Sequence, residues 1–174
     1  AQVRDHSEGR EMTANILPSA SAEKHYPIAF NLIPQIDVFC DNLYTKEEMK
    51  MVNETKKIME DYEMRITATT IRVPVYRSHS ESVNIELEKE VDLGAMREAL
   101  AKFPGVTVQD DPSKQEYPMP LYTSEKDDVY VGRLRRDESC EKSYNMWVVG
   151  DQIRKGAALN TLQIAETMIK NGWI

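Results

Sequence analysis

The chain has 174 residues, 41% of them hydrophobic and 29% charged, which is the balance of a water-soluble globular domain with a sizeable core. Its net charge of -7 excludes general nucleic-acid binding, which needs a basic face, but leaves room for a local basic pocket. No apolar run approaches membrane-spanning length, and the two cysteines, Cys40 and Cys140, lack the spacing of a zinc site or a disulfide framework. No metal and no membrane partner are expected, and a reducing cytoplasm is the expected compartment. The chain opens without Met on Ala1-Gln2-Val3-Arg4-Asp5-His6, which reads as the tail of a helix, so a piece of a longer protein is expected.

Residues 1–8 have helical character and Gly9 stops them. Thr13 to Leu17 is a short strand candidate, and Pro18 to His25 is a polar loop. Tyr26 to Phe39 is apolar but broken by Pro27 and Pro34, which predicts packed irregular chain or an edge strand. The first clear helix starts at Thr45, which forms a capping-box pair with Glu48. Met49, Val52, Met59 and Tyr62 then form a predicted buried arc.

Strands are expected near 66–76 and 82–88, the first β-branched, the second alternating Val83, Ile85 and Leu87 with polar residues. Between them a polar turn would present His79. A second helix is predicted from Leu93 to Phe103, capped by Asp92, with Leu93, Met96, Leu100 and Phe103 inward. Pro104-Gly105 ends it and Val106 to Val108 is a strand, which together suggests a split βαβ unit.

Gln109 to Asp128 reads as a long polar excursion, and Val129–Leu134 and Ser143–Val149 as neighbouring strands. Asp151 caps a last helix with the stripe Ile153, Ala157, Thr161, Ile164 and Met168, closed by Gly172. No repeat or internal boundary is visible, so residues 1–174 are expected to form a single domain. The predicted class is α+β: a mixed, largely antiparallel sheet with helices packed on one face.

Several side chains could carry chemistry. Arg72 offers a planar fork for a carboxylate or phosphate; it could equally be a solvated strand arginine paired with an acid. His79 can trade a proton near neutral pH, or simply bond Ser78 or Ser80 in a turn. Glu47 and Lys50 share a helix face, either as an intrahelical ion pair or as readers of an ammonium group and of a phosphate or carboxylate. Gly156-Ala157-Ala158 lets a neighbour approach closely. That neighbour is either a packed sheet or a cofactor that Gln152 and the helix mouth would contact. Acidic flanks disfavour Cys40 and Cys140 as nucleophiles.

A set of motifs in order joins these pieces. They are His25-Tyr26-Pro27-Ile28-Ala29-Phe30-Asn31 with Pro34-Gln35-Ile36-Asp37, and Lys46-Glu47-Glu48-Met49-Lys50 with Asn53-Glu54-Thr55-Lys56-Lys57-Ile58. Next come Arg72-Val73-Pro74-Val75 with His79-Ser80-Glu81-Ser82-Val83, and Val131-Gly132-Arg133-Leu134-Arg135. The last is Trp147-Val148-Val149-Gly150-Asp151-Gln152 with Lys155-Gly156-Ala157-Ala158. From about residue 9 to 172 the sequence resembles the C-terminal, substrate-binding and dimerisation half of bacterial aspartate-semialdehyde dehydrogenases.

The resemblance implies a fold like the C-terminal domain of glyceraldehyde-3-phosphate dehydrogenase relatives. It also implies NADPH-dependent conversion of L-aspartyl 4-phosphate to L-aspartate 4-semialdehyde and phosphate, in the aspartate pathway to lysine, threonine and methionine. In that family a cysteine thiolate forms a thioacyl enzyme, which hydride reduces. By resemblance, His79 matches the general acid/base, Arg72 the clamp on the substrate carboxylate, and Glu47 the holder of the amino group. Lys50 matches a phosphate or carboxylate ligand, and Gln152 a position beside the nicotinamide. The resemblance further implies a homodimer, with NADP bound mainly by an N-terminal dinucleotide-binding domain. No GxGxxG occurs in this chain, and neither cysteine matches the family's catalytic one, which precedes the region matched by residues 1–10. Arg77 also departs from many relatives. The isolated chain is therefore expected to be inactive. Two alternatives remain: an acetylglutamyl-phosphate reductase-like domain, and a non-catalytic small-anion module using Arg72, Lys50 and Arg154.

Overall fold

Pro18, Pro27 and Pro34 deny the early chain the amides that a continuous ladder needs. In the computed structural model, which describes residues 1–174, the chain divides into two compact units, Ala1–Pro74 and Val75–Ile174.

The first unit begins with helix α1, Gln2–Ser7, after which Gly9 takes a left-handed φ of 68°. The buried Gln2 side chain fastens this helix to two passes of irregular chain. Its Nε2 donates to Asn15 Oδ1 at 2.7 Å, and its Oε1 accepts from the amides of Ile28 and Ala29, both at 3.0 Å. Of the strand expected over 13–17 only a bridge remains, between Ile16 and Tyr26; Tyr26–Phe39 is irregular chain as expected, but its packing is partial, with Ala29 and Ile33 buried and Phe30, Leu32 and Phe39 exposed.

Helix α2, Lys46–Met59, starts at the predicted cap: Thr45 Oγ1 accepts from Glu48 N, and Glu48 Oε2 accepts from Thr45 N. Its predicted buried arc is only half realised. Met49 and Val52 are half-buried, whereas Met59 and Tyr62 are exposed, because the helix closes at Glu60 in a left-handed turn that carries Tyr62 off the arc.

The strand expected over 66–76 is a second correction. Burial does alternate, with Ile66, Ala68, Thr70 and Arg72 half-buried between exposed neighbours. The only ladder contact is the Ile33–Arg72 bridge. The sequence pattern reported extended chain; it could not report the absence of a partner strand.

The second unit is built on a four-stranded sheet of order β1-β4-β3-β2: β1 His79–Glu86, β2 Val106–Val108, β3 Val129–Arg136 and β4 Ser143–Gly150. β4 pairs antiparallel with β1 and β3, and β2 joins β3 in parallel, giving the mixed α+β fold that the sequence predicts. Helix α3, Leu93–Lys102, connects the two edge strands β1 and β2, so the split βαβ unit is present. Asp92 caps it by accepting from Ala95 N at 3.0 Å.

Met96 packs with Leu134 and Tyr144, ringed by the partly buried Ile85, Leu87, Leu93, Leu100 and Met146; full burial of a side chain such as Met96 or Leu134 contributes roughly 1.5–3 kcal/mol. Phe103, expected inward, is exposed. It is the C-cap in extended conformation, the geometry that the following Pro104 demands.

The 109–128 excursion carries a short 3-10 turn and helix α4, Pro120–Thr123. It crosses β3 at Gly132, where a Cβ would collide with the Gln109 carbonyl and lie 2.6 Å from Pro118 Cδ. Trp147 Nε1 secures the crossing by donating to Pro118 O at 2.9 Å.

After β4 the chain enters a π-helical turn, Arg154–Ala158, before helix α5, Leu159–Lys170. The amides of Gly156 and Ala158 reach back five residues, to Asp151 O and Ile153 O. That extra residue rotates the phase. The predicted stripe is accordingly broken: Ile153 and Ile164 are exposed, and the half-buried positions are Leu159, Asn160, Gln163, Ala165 and Met168. Gly172 closes the helix at φ 68°.

Candidate functional site

In the first unit, Glu47 and Lys50 lie on the first turns of α2, which the capping box fixes in place. Lys50 Nζ is 3.7 Å from Glu47 Oε1, with both side chains partly exposed. This is the intrahelical pair that the spacing allows, and it leaves most of the donor and acceptor capacity of both groups unused.

Arg72 sits on the extended segment that bridges to Ile33. Its amide donates to Ile33 O at 2.9 Å and its carbonyl accepts from Ile33 N at 3.1 Å. Its Nε is buried and without a hydrogen-bond partner. A buried unsatisfied donor is costly, so the fold alone does not account for it.

In the second unit, His79 is the first residue of β1, exposed and in register with Gly150. It is not the turn residue that the sequence suggested. The turn residue is Ser78, buried, at φ 76°. A serine in that region costs on the order of 1–3 kcal/mol and is kept only where its surroundings over-determine it.

Those surroundings are explicit. Ser78 N donates to Gln152 Oε1 at 2.9 Å, Thr123 Oγ1 donates to Ser78 Oγ at 3.1 Å, and Ser124 Oγ lies 3.3 Å from the same hydroxyl. Gln152, half-buried, thus commits its oxygen to the residue before His79 and keeps its Nε2 as a donor. The structure therefore joins His79 and Gln152 through one residue, a link that no local spacing discloses. A cleft of about 400 Å³ on this unit is lined by Ser82, Tyr117, Pro118, Arg133 and Trp147; neither His79 nor Gln152 lines it.

Beneath that corner lies Asp151, fully buried. Oδ1 accepts from the amides of Ile153 at 2.9 Å and Arg154 at 3.1 Å, as the predicted cap. Oδ2 accepts from Glu125 N at 2.6 Å and lies 2.6 Å from Arg77 Nε, an ion pair out of line for a regular hydrogen bond. Burial pushes the carboxyl up, but the three amides and Arg77 more than offset it and bring its pKa down to about 2. Sequence reading found the cap and missed the rest. The Thr123-Ser124-Glu125 run at the end of α4 was the available signal, and it was masked by its place in a polar loop.

Arg154 is engaged with Asp127, whose carboxylate raises its pKa further. Cys40 and Cys140 are free; Cys140 is exposed, with Sγ 3.6 Å from Glu141 O.

Residues 2–155 match the family described as semialdehyde dehydrogenase, dimerisation domain. The chain is 49% identical over 173 residues to the aspartate-semialdehyde dehydrogenase of Aquifex aeolicus, covering 99% of this chain and 49% of that protein. It is 50% identical over 161 residues to that of Bacillus subtilis, covering 92% and 46% respectively. Among solved structures, aspartate semialdehyde dehydrogenase II from Vibrio cholerae, complexed with ASA, superposes with a TM-score of 0.85 at 39% identity, over 97% of this chain and 48% of that one. The chain thus spans about half the length of the relatives it matches, and over that half the motifs singled out in the sequence fall within the matched region. With 154 of its 174 residues inside the family match, the chain belongs to the semialdehyde dehydrogenase dimerisation-domain family.

Proposed function

We propose that residues 1–174 act as one substrate-binding and dimerisation domain of an aspartate-semialdehyde dehydrogenase. The whole enzyme would reduce L-aspartyl 4-phosphate to L-aspartate 4-semialdehyde with release of phosphate. The observation that carries this reading is near-50% identity over almost the whole chain to relatives of that name. The buried Arg72 Nε without a protein partner supports it, as does the ASA bound in the Vibrio relative.

In this reading the Arg72 guanidinium clamps the substrate α-carboxylate and Glu47 holds its ammonium group. Lys50 neutralises the phosphate or carboxylate. His79 moves the proton that the reduction consumes, and its place on the rigid edge of β1 suits that task. NADPH, when bound, supplies the hydride. Gln152 fits its nicotinamide end, because Oε1 is committed to Ser78 and Nε2 remains to donate. The remainder of the cofactor would be held by a dinucleotide-binding domain outside these residues. A homodimer through this domain and a cytoplasmic location complete the proposal; no helix is long and apolar enough to cross a membrane.

The small-anion module loses one of its three cations, since Arg154 is already paired with Asp127. The relatives carry the aspartate name rather than the acetylglutamyl one.

The test is an NADPH-coupled assay of the chain alone and joined to its dinucleotide-binding domain. The joined enzyme should turn over aspartyl phosphate and the isolated chain should not. In the joined enzyme, Glu47→Gln and Arg72→Met should each raise KM, and His79→Gln should lower kcat. Turnover by the isolated chain, or indifference to all three substitutions, would overturn the reading.

A further inference from the structure

The Asp151 carboxylate does more than a helix cap needs. Capping uses Oδ1 alone, through Ile153 and Arg154. Oδ2 reaches two other parts of the unit, the amide of Glu125 and the guanidinium of Arg77. Arg77 stands two residues before His79, and Gln152 directly follows Asp151. Thr123 and Ser124, just before Glu125, carry the hydroxyls that face Ser78. One carboxylate therefore reaches every segment that meets Ser78, through its amide or its hydroxyl: the strand entry, the end of α4 and the start of the π-helical turn. The strained φ of Ser78 shows that this entry does not hold itself.

We propose that Asp151 is a positioning residue that sets the orientation of His79 and Gln152 together, acting through Arg77 and the Glu125 amide rather than by touching substrate. This rests on the functional reading above. A shift of about 1 Å in a proton-transfer group is enough to cost about 100-fold in rate. The expected signature is therefore in kcat, with the substrate affinity set by Arg72 and Glu47 left alone.

The experiment uses the joined two-domain enzyme. Asp151→Asn keeps an oxygen for the cap but turns an amide donor toward Arg77 and the Glu125 amide. Arg77→Gln removes the partner while three amides still satisfy Asp151. Both should lower kcat, about 10- to 100-fold for Asp151→Asn and less for Arg77→Gln, with KM for substrate changed by less than about twofold. In NMR spectra the Arg77 Nε–H signal should shift between the parent and Asp151→Asn as its charged partner is lost, while the Leu134 and Val149 methyl signals stay in place. His79→Gln, run alongside, separates the two levels. If it keeps full kcat, the functional reading fails. If it abolishes turnover while Arg77→Gln and any folded Asp151→Asn run at the parent rate, the positioning proposal is overturned. Should Asp151→Asn not fold, the Arg77→Gln rate decides.

Discussion

Glu48 and Thr70 meet across the irregular chain of the first unit: the Thr70 amide donates to Glu48 Oε1 at 2.8 Å, while Oε2 of the same buried carboxylate takes the Thr45 amide, also at 2.8 Å. A helix cap has become a tie between α2 and the segment that carries Arg72. Glu48→Ala removes the capping box and leaves two amides without acceptors. Loss of a cap costs about 0.5–2 kcal/mol and an unsatisfied buried group about 1–3 kcal/mol, so we predict a loss of about 2–4 kcal/mol by urea denaturation. A loss below about 1 kcal/mol would contradict the tie.

The same carboxylate sets an acid limit. Burial pushes its pKa up, but the Thr45 and Thr70 hydrogen bonds outweigh this and leave it below 4.5. Asp151 likewise falls from 3.8 to about 2. For both groups the folded pKa lies below the unfolded one. Their stabilisation is therefore complete above about pH 4.5 and is lost as pH falls through the folded values, for Asp151 between 3.8 and about 2. Stability measured from pH 6 down to pH 2 should drop along that limb, and Glu48→Gln should flatten its upper part.

Ser78 and Gly132 test backbone conformation rather than side-chain bonding. At φ 76°, Ser78→Gly relieves strain but gives up the bond from Thr123, so its stability should stay within about 1 kcal/mol of the parent. Ser78→Val forbids the conformation and should cost about 2 kcal/mol or more. Gly132→Ala drives a methyl into the Gln109 carbonyl, backbone that cannot step aside, and should cost about 2–4 kcal/mol. Thermal unfolding of the three variants checks the order; equal losses would mean that neither the crossing nor the turn constrains the backbone at these positions.

These positions also show what a sequence can disclose. The caps at Thr45, Asp92 and Asp151 were legible because capping is local, fixed by residues three or four apart. Strands β1, β3 and β4 were legible because each carries apolar residues that pack with Met96 of α3, namely Ile85, Leu134, and Tyr144 with Met146. The stretch 66–72 alternates too but has no ladder, since pairing is decided by distant chain. The α5 stripe failed because one π-turn residue shifts the phase, a change that no periodicity count inside the helix can register. The candidate site divides the same way. His79, Gln152, Arg72, Glu47 and Lys50 were named from chemistry and motif. The Arg77–Asp151–Glu125 link beside His79 and Gln152 is long-range and polar, and leaves no spacing to read.

Arg72 allows stability and function to be set against each other. A buried donor without a partner contributes nothing to the fold and costs desolvation, so Arg72→Met, which keeps the length and loses the charge, should leave the unfolding free energy unchanged or raise it by up to about 1 kcal/mol. The same substitution removes the fork proposed for the substrate carboxylate. Without that charge-assisted, bidentate hold on the ligand, KM in the joined enzyme should rise about 10- to 100-fold, and Arg72→Lys, which keeps charge but not the fork, should recover only part of it. Denaturation and kinetics on the same preparations give both quantities. If Arg72→Met instead unfolds the chain while KM stays put, Arg72 is a structural arginine and the substrate clamp lies elsewhere.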